Sequence, residues 1–364
     1  MNSTTTDALE FLLEAPESGD APVYIAGNFN DWNARDEQYR MEKTDEGYYQ
    51  IVFQERVLLP STIEYKYTRG NWDRVELNEN GNGVPNRVVF NSRRVVRDRV
   101  DHWMGIEVPY EPDHLPKIHT LSEAFEMPKH IKTRRVTALL PHDYDDSEKR
   151  YPVLYLQDGQ NLFDEYAPFG SWGVDKKLAH MSEQGHGDII VVAIDHAEED
   201  RIKEFTPSSN TRLGSGYGKQ YVRYLTEILK PYVDKKFRTV TDRHHTGIGG
   251  SSMGGLISIY AGLMYPEVYG KLMVFSPSLW VAPKIHFHSI NFNKSQDTQI
   301  YLYGGEAESV NMIPNLKRFK SALQEQGNGA VLDFELNVDP YGQHNETQWG
   351  EEFPRAVEWL FFKK

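Results

Sequence analysis

The run Gly250-Ser251-Ser252-Met253-Gly254 sets a serine between two glycines in the G-x-S-x-G form of a nucleophile elbow. Glycines let a strand turn sharply into a helix, which lifts the Ser252 hydroxyl to the tip of a strained turn. The flanks suit that geometry. Residues 244–249 read as a short strand and residues 255–263, small and apolar, as a buried helix. A helix starting at the serine aims its N–H groups and positive dipole end at the reaction centre, which favours the anion formed in acyl transfer.

A serine hydroxyl is a poor nucleophile at neutral pH, so it needs a general base, and the base needs an acid to hold its tautomer. With this elbow the expected chain order is serine, acid, histidine. Of 13 histidines only His286, His288 and His344 follow Ser252. The first two fall in a polar, aromatic stretch and read as surface residues. His344 lies in a turn-rich loop after the strand-like residues 332–338, where the carboxyl edge of a sheet presents site residues. The acid is sought in Gly304-Gly305-Glu306-Ala307-Glu308-Ser309, after the strand-like residues 299–303; Glu308 is favoured over Glu306.

The oxyanion formed by attack requires two N–H donors. The Met253 N–H, directly after the nucleophile, is one. The other is assigned to Gln160, in a loop after the strand-like Tyr155-Leu156-Gln157, where Gly159 permits a close turn. Trp172, Trp280 and Trp349 flank the motif loops as candidate pocket walls, with burial in the core as the plainer reading. Arg201 is a candidate substrate contact, with a surface salt bridge as the plainer reading.

The elements around these residues follow two rhythms. Residues 8–100 give short alternating segments separated by turn clusters at about ten-residue spacing, the pattern of a small β-sandwich. A proline-punctuated linker is placed at 101–120. From 121 to 364 apolar runs at 152–156, 189–194, 271–275 and 299–303 read as buried parallel strands, and amphipathic stretches at 218–236, 311–326 and 353–362 as helices on both faces of the sheet.

At 364 residues the chain is long enough for two domains. A net charge of −13 argues against nucleic acid as partner, and no stretch approaches the ~18 apolar residues of a membrane span. Without cysteine there is no thiolate nucleophile and no disulfide. The start Met1-Asn2-Ser3-Thr4-Thr5-Thr6-Asp7 lacks a basic, apolar leader, giving an expectation of a cytoplasmic protein.

The stretches Gln157-Asp158-Gly159-Gln160-Asn161, Gly249-Gly250-Ser251-Ser252-Met253-Gly254-Gly255, Ser276-Pro277-Ser278-Leu279-Trp280 and Gly342-Gln343-His344-Asn345-Glu346 together resemble the Putative esterase family of α/β-hydrolases, with its esterase D, enterochelin esterase and feruloyl or acetylxylan esterase lineages. The resemblance implies an α/β-hydrolase sheet, mostly parallel with helices on both faces. It implies Ser252 as nucleophile, His344 as base and Glu308 as acid, with no metal or organic cofactor. The N-terminal stretches Gly27-Asn28-Phe29-Asn30-Asp31-Trp32, Glu64-Tyr65-Lys66-Tyr67 and Asn71-Trp72 resemble immunoglobulin-like β-sandwich modules that bind starch and glycogen. That resemblance implies a sugar platform of Trp32 and Trp72 with Lys66 and Asn86 on the hydroxyls. The combined expectation is a serine esterase acting on acylated carbohydrates, a small-molecule or oligosaccharide ester. The rivals are an iron-chelate lactone as substrate, a carbohydrate-binding protein with an idle hydrolase domain, and a serine peptidase. The sequence leaves the oligomeric state open.

Overall fold

The computed structural model describes residues 8–16, 21–54, 58–77, 84–104, 110–125, 131–163, 167, 170–207, 211–286, 297–326 and 331–363. The chain divides between Val108 and Pro109 into two compact units.

The N-terminal unit holds strands β1 (Leu9–Glu14), β2 (Tyr24–Gly27), β3 (Glu42–Lys43), β4 (Tyr49–Phe53), β5 (Thr62–Thr68), β6 (Glu76–Leu77), β7 (Arg87–Phe90), β8 (Val95–Arg99) and β9 (His102–Trp103). They form a sheet β3-β4-β1-β8, a sheet β2-β5-β7 and a β6-β9 pair. Alternate residues of β1, Leu9, Phe11 and Leu13, are fully buried and join Ile25, Ile63 and Tyr65 of the other sheet in one apolar cluster. This sharing of one core by two sheets gives the two-layer arrangement expected. Phe11 fixes the seam by meeting Phe53 and Tyr65 edge-on at 5.3 and 5.0 Å. The segment expected as a linker at 101–120 is partly structured: β9 pairs with β6, and residues 117–120 already belong to the second unit's sheet. Its prolines punctuate the chain without excluding pairing on either side.

The second unit is built on β10 (Lys117–Phe125), β11 (Arg134–Leu140), β12 (Val153–Gln157), β13 (Ile190–Ile194), β14 (Thr246–Ser251), β15 (Lys271–Phe275), β16 (Asp297–Gly305) and β17 (Val331–Asp339). The sheet order is β10-β11-β13-β12-β14-β15-β16-β17, antiparallel at β10-β11-β13 and parallel from there on. The four apolar runs read as parallel strands occupy four of its six parallel positions. Helices α1 (Val174–Glu183), α2 (Arg201–Phe205), α3 (Gly218–Tyr224), α4 (Lys230–Lys236), α5 (Ser252–Met264), α6 (Met312–Gln326) and α7 (Glu346–Val357) complete it.

The central strands are apolar throughout because both faces are covered. Val153 and Tyr155 of β12 join the core containing α5 and α6, whereas Leu154 and Leu156 join the core containing α1 and α7. The helix expected at 218–236 is broken by one π-helical turn at Leu225–Leu229, just before Pro231, which has no N–H to continue the regular ladder. The last helix begins at Glu346, earlier than the 353 expected, because Asn345 caps it by accepting from the Gln348 N–H at 2.9 Å.

The connections place the site. From β12 the chain runs to β13 on one side, and later to β14 on the other, so the carboxyl end of β12 is a topological switch point where ligands bind in open α/β sheets. At that edge β12, β14 and β15, three neighbours in the sheet, are each followed by a non-glycine residue at positive φ: Asp158 at 58°, Ser252 at 54° and Ser276 at 44°.

Candidate active site

Ser252 takes its left-handed backbone at the junction of β14 and α5, the strained turn the motif predicts. Gly254 is required there by space. A β-carbon on it would lie 2.8 Å from Asp158 Oδ2 and 3.0 Å from Gln157 Cβ.

The three residues selected by chain order come together. His344 Nε2 lies 3.0 Å from Ser252 Oγ, and His344 Nδ1 lies 2.6 Å from Glu308 Oε2. A carboxylate only accepts, so Nδ1 carries the ring proton and Nε2 of the neutral imidazole accepts from the serine. The side chain of Glu308 is 1% exposed and that of His344 42%, so the carboxylate is held inside while the imidazole is open to solvent. Glu306 is exposed and engages the chain through its backbone N–H, which donates to the Asp339 carbonyl at 2.8 Å.

Two serines at this edge were quoted in a motif but given no role by sequence reasoning. The other Glu308 oxygen, Oε1, accepts from Ser276 Oγ and from the Gly305 N–H, both at 2.6 Å. Ser276 Oγ in turn accepts from Trp349 Nε1 at 2.9 Å. Ser278 Oγ stands 3.3 Å from Ser252 Oγ, and the Ser278 N–H donates to the Ser252 carbonyl at 3.0 Å. The available signal was position: both serines directly follow β15, beside the nucleophile's strand.

Gln160 sits in a tight turn after β12, on the strand next to the nucleophile's. Its side chain accepts from the His196 N–H at 3.0 Å, and Asn161 Nδ2 donates to Glu346 Oε1 at 3.2 Å, tying this loop to the segment carrying His344. Arg201 grips Asp158 through two bonds of 2.6 and 2.9 Å. It also lines a pocket of 470 Å³ together with Ser252, Met253, Trp280, Met312 and His344.

Of the three tryptophans, Trp280 lines this pocket. Trp172 and Trp349 are core residues at 3% exposure each; Trp172 stacks on Phe275, and Trp349 meets the His344 ring edge-on at 4.8 Å. His286 is half-buried rather than on the open surface, and burial lowers its pKa. His288 lies outside the described residues. Among the described residues no acidic or histidine cluster suits a metal ion, and no helix is long and apolar enough to cross a membrane.

In the N-terminal unit Trp32 and Trp72 approach with ring centroids 6.2 Å apart at 46°, and Trp72 is 39% exposed. Asn86 Nδ2 donates to Glu64 Oε2 at 3.4 Å. Lys66 departs from its expected place: it is 3% exposed and its Nζ donates to the Val84 carbonyl. The reason is that β5 is the middle strand of its sheet and is buried on both faces from Tyr65 to Thr68.

Comparison with known proteins agrees with this architecture. The family model described as "Putative esterase" matches residues 130–360. An uncharacterized protein, YbbA of Bacillus subtilis (strain 168), is 26% identical over 246 residues, 63% of this chain and 93% of that protein. An alpha-amylase of Niallia circulans is 38% identical over 87 residues, 23% of this chain and 6% of that protein. Among solved structures, the enterobactin esterase FES from Shigella flexneri superposes with a TM-score of 0.53 at 14% identity, over 97% of this chain and 93% of that one. With the elbow at Ser252, the eight-stranded sheet and this match, the chain belongs to the Putative esterase family of α/β-hydrolases.

Proposed function

We infer that this chain is a serine carboxylic-ester hydrolase that works through an acyl-enzyme on acylated carbohydrates. The observation that carries the reading is the unbroken contact from Ser252 Oγ through the His344 ring to Glu308. His344 Nε2 takes the serine proton as Oγ attacks the ester carbonyl, and Glu308 stabilises the imidazolium that results. The tetrahedral oxyanion is received by the N–H groups of Met253, at the start of α5, and Gln160, in the turn after β12. The alcohol departs with the proton from His344, and water, activated by the same ring, hydrolyses the acyl-enzyme.

Ile202, Leu213, Pro277 and Met312 give the 470 Å³ pocket a largely apolar wall, with Trp280 as an aromatic face. That lining favours a bulky acyl group of feruloyl type over acetyl. The likeness of 87 residues to an alpha-amylase and the approach of Trp32 to Trp72 support a carbohydrate as the alcohol side. A second reading, an iron-chelate lactone as substrate, is favoured by the fold shared with the Shigella flexneri enterobactin esterase over nearly the whole of both chains.

A fluorophosphonate probe with peptide mapping tests the first claim. Label on Ser252 that disappears in His344→Ala supports an activated nucleophile, and absence of label on folded protein sinks it. Turnover of methyl ferulate, acetylated xylooligosaccharide and a catecholate trilactone then decides the substrate; activity confined to the trilactone discards the carbohydrate reading.

A further inference from the structure

A second pocket, of 230 Å³, adjoins the catalytic one, and Trp280 lines both. Its polar lining is Arg212, His286, Asn311, Asn315 and Arg318, over a floor of the buried Leu279 and Phe319. The charge is one-sided. Among the described residues two guanidiniums contribute and no carboxylate does, in a chain with 53 acidic against 40 basic residues.

The backbone of Arg212 and the side chain of Arg318 are tied to the fold, and both exposed guanidiniums keep donors in hand. The Arg212 N–H donates to the Val281 carbonyl at 2.9 Å, which ties its backbone to the Trp280 loop. Arg318 Nη2 donates to Asn315 Oδ1 at 2.6 Å, one of the five N–H bonds a guanidinium offers. Neither has an ion-pair partner among the described residues. Like charges lining one small pocket repel, and an anion seated between them relieves that repulsion. Planar guanidiniums match a carboxylate's two oxygens, and the asparagine amides and His286 can bond its edges. The apolar floor and the indole accept the carbon skeleton that carries it.

We propose that this pocket is a subsite for a carboxylate carried by the substrate beyond Trp280, so that the enzyme selects ester monoanions over neutral esters of equal length. The proposal rests on Ser252 being the esterase nucleophile. Arg212 and Arg318 bind the carboxylate, and Trp280 packs against the segment linking it to the scissile ester. No bond of the substrate changes in this pocket; its contribution is to binding and therefore falls mainly on KM.

The test compares kcat/KM of the full chain for p-nitrophenyl valerate against the p-nitrophenyl monoesters of glutarate and adipate, and for phenyl butyrate against 4-(butyryloxy)benzoate. The two pairs place the charge on the acyl or the alcohol side. The expected result is at least a tenfold preference for the anionic member of one pair, expressed in KM and weakened by salt. In the Arg212→Ala/Arg318→Ala double variant that ratio falls at least tenfold, and Arg318→Lys retains part of it. Melting curves confirm that the variants are folded. No anionic preference in either pair, or a preference the double variant keeps, overturns the subsite. Absence of turnover of every ester, together with no fluorophosphonate label, instead overturns the esterase reading and the subsite with it.

Discussion

Trp349 Nε1 donates to Ser276 Oγ at 2.9 Å while the Ser276 hydroxyl in turn donates a hydrogen bond to Glu308 Oε1 at 2.6 Å. A core tryptophan therefore positions the Glu308 carboxylate through an intermediate serine, and the same indole meets the His344 ring edge-on. Glu308 is fixed from behind by buried donors, which hold its other oxygen aimed at Nδ1.

Removing the intermediate should loosen that aim. Ser276→Ala deletes one charge-assisted bond, of about 1.5 to 3 kcal/mol, and leaves the Trp349 N–H unpaired. The expected outcome is a loss of about 10- to 100-fold in kcat on p-nitrophenyl butyrate with KM within about twofold. Steady-state kinetics check it; an unchanged kcat would show that the Gly305 N–H alone suffices to hold Glu308.

The two glutamates of the loop after β16 separate cleanly. Glu308→Gln leaves an amide where His344 requires an acceptor, so kcat/KM should fall about 10³-fold or more. Glu306→Gln changes an exposed side chain and should remain within about twofold. The reverse ranking in the same assay would reassign the acid.

A buried carboxyl away from the nucleophile predicts a pH dependence of stability. Burial raises the pKa of Glu352 from 4.5 to about 7, although Tyr301 and Asn337 donate to it. The folded state thus holds this proton more tightly than the unfolded chain. The resulting stability is fully present below pH 4.5 and is lost as pH rises through about 7. At about 1.4 kcal/mol per pH unit the window corresponds to about 3 kcal/mol. Lys271, lowered to about 8 by burial, acts only above that window. Melting temperatures at pH 5 and pH 7.5 should therefore converge in Glu352→Gln relative to the parent protein; an unchanged gap refutes the assignment.

For the N-terminal unit, Trp72→Ala removes a partly exposed ring, so its effect on stability should stay within about 0.5 kcal/mol. Retardation on a gel containing linear α-glucan should weaken at least fivefold, with p-nitrophenyl ester turnover intact. If the parent protein shows no retardation, the Trp32–Trp72 pair serves packing alone.

That Ser252, Glu308 and His344 meet in space was legible in the sequence because chain order and strand ends restrict which side chains reach one sheet edge. The two cores of the α/β unit were legible in its continuous apolar runs. Ser276 and Ser278 were not, since a serine after a strand has no signature until its partners are located in space. Strand β10 escaped because it mixes polar and apolar residues at the sheet's edge, and β11 because its buried run opens on two arginines, Arg134 and Arg135, and includes Thr137. Lys66 differs because a position carried over from a resemblance does not show that β5 is buried on both sides here, and Trp172 and Trp349 follow the core reading, since nearness in sequence to motif loops does not make a pocket wall.

Three neighbouring strands end on left-handed residues that are not glycine, at Asp158, Ser252 and Ser276. Such conformations cost about 1 to 3 kcal/mol each, comparable in sum with the whole margin by which a domain stays folded. A lineage released from hydrolysis would gain thermal tolerance by accepting glycine at these positions. The carboxyl edge of the sheet around Ser252 is thus where this domain stores backbone strain, at a cost to its own stability.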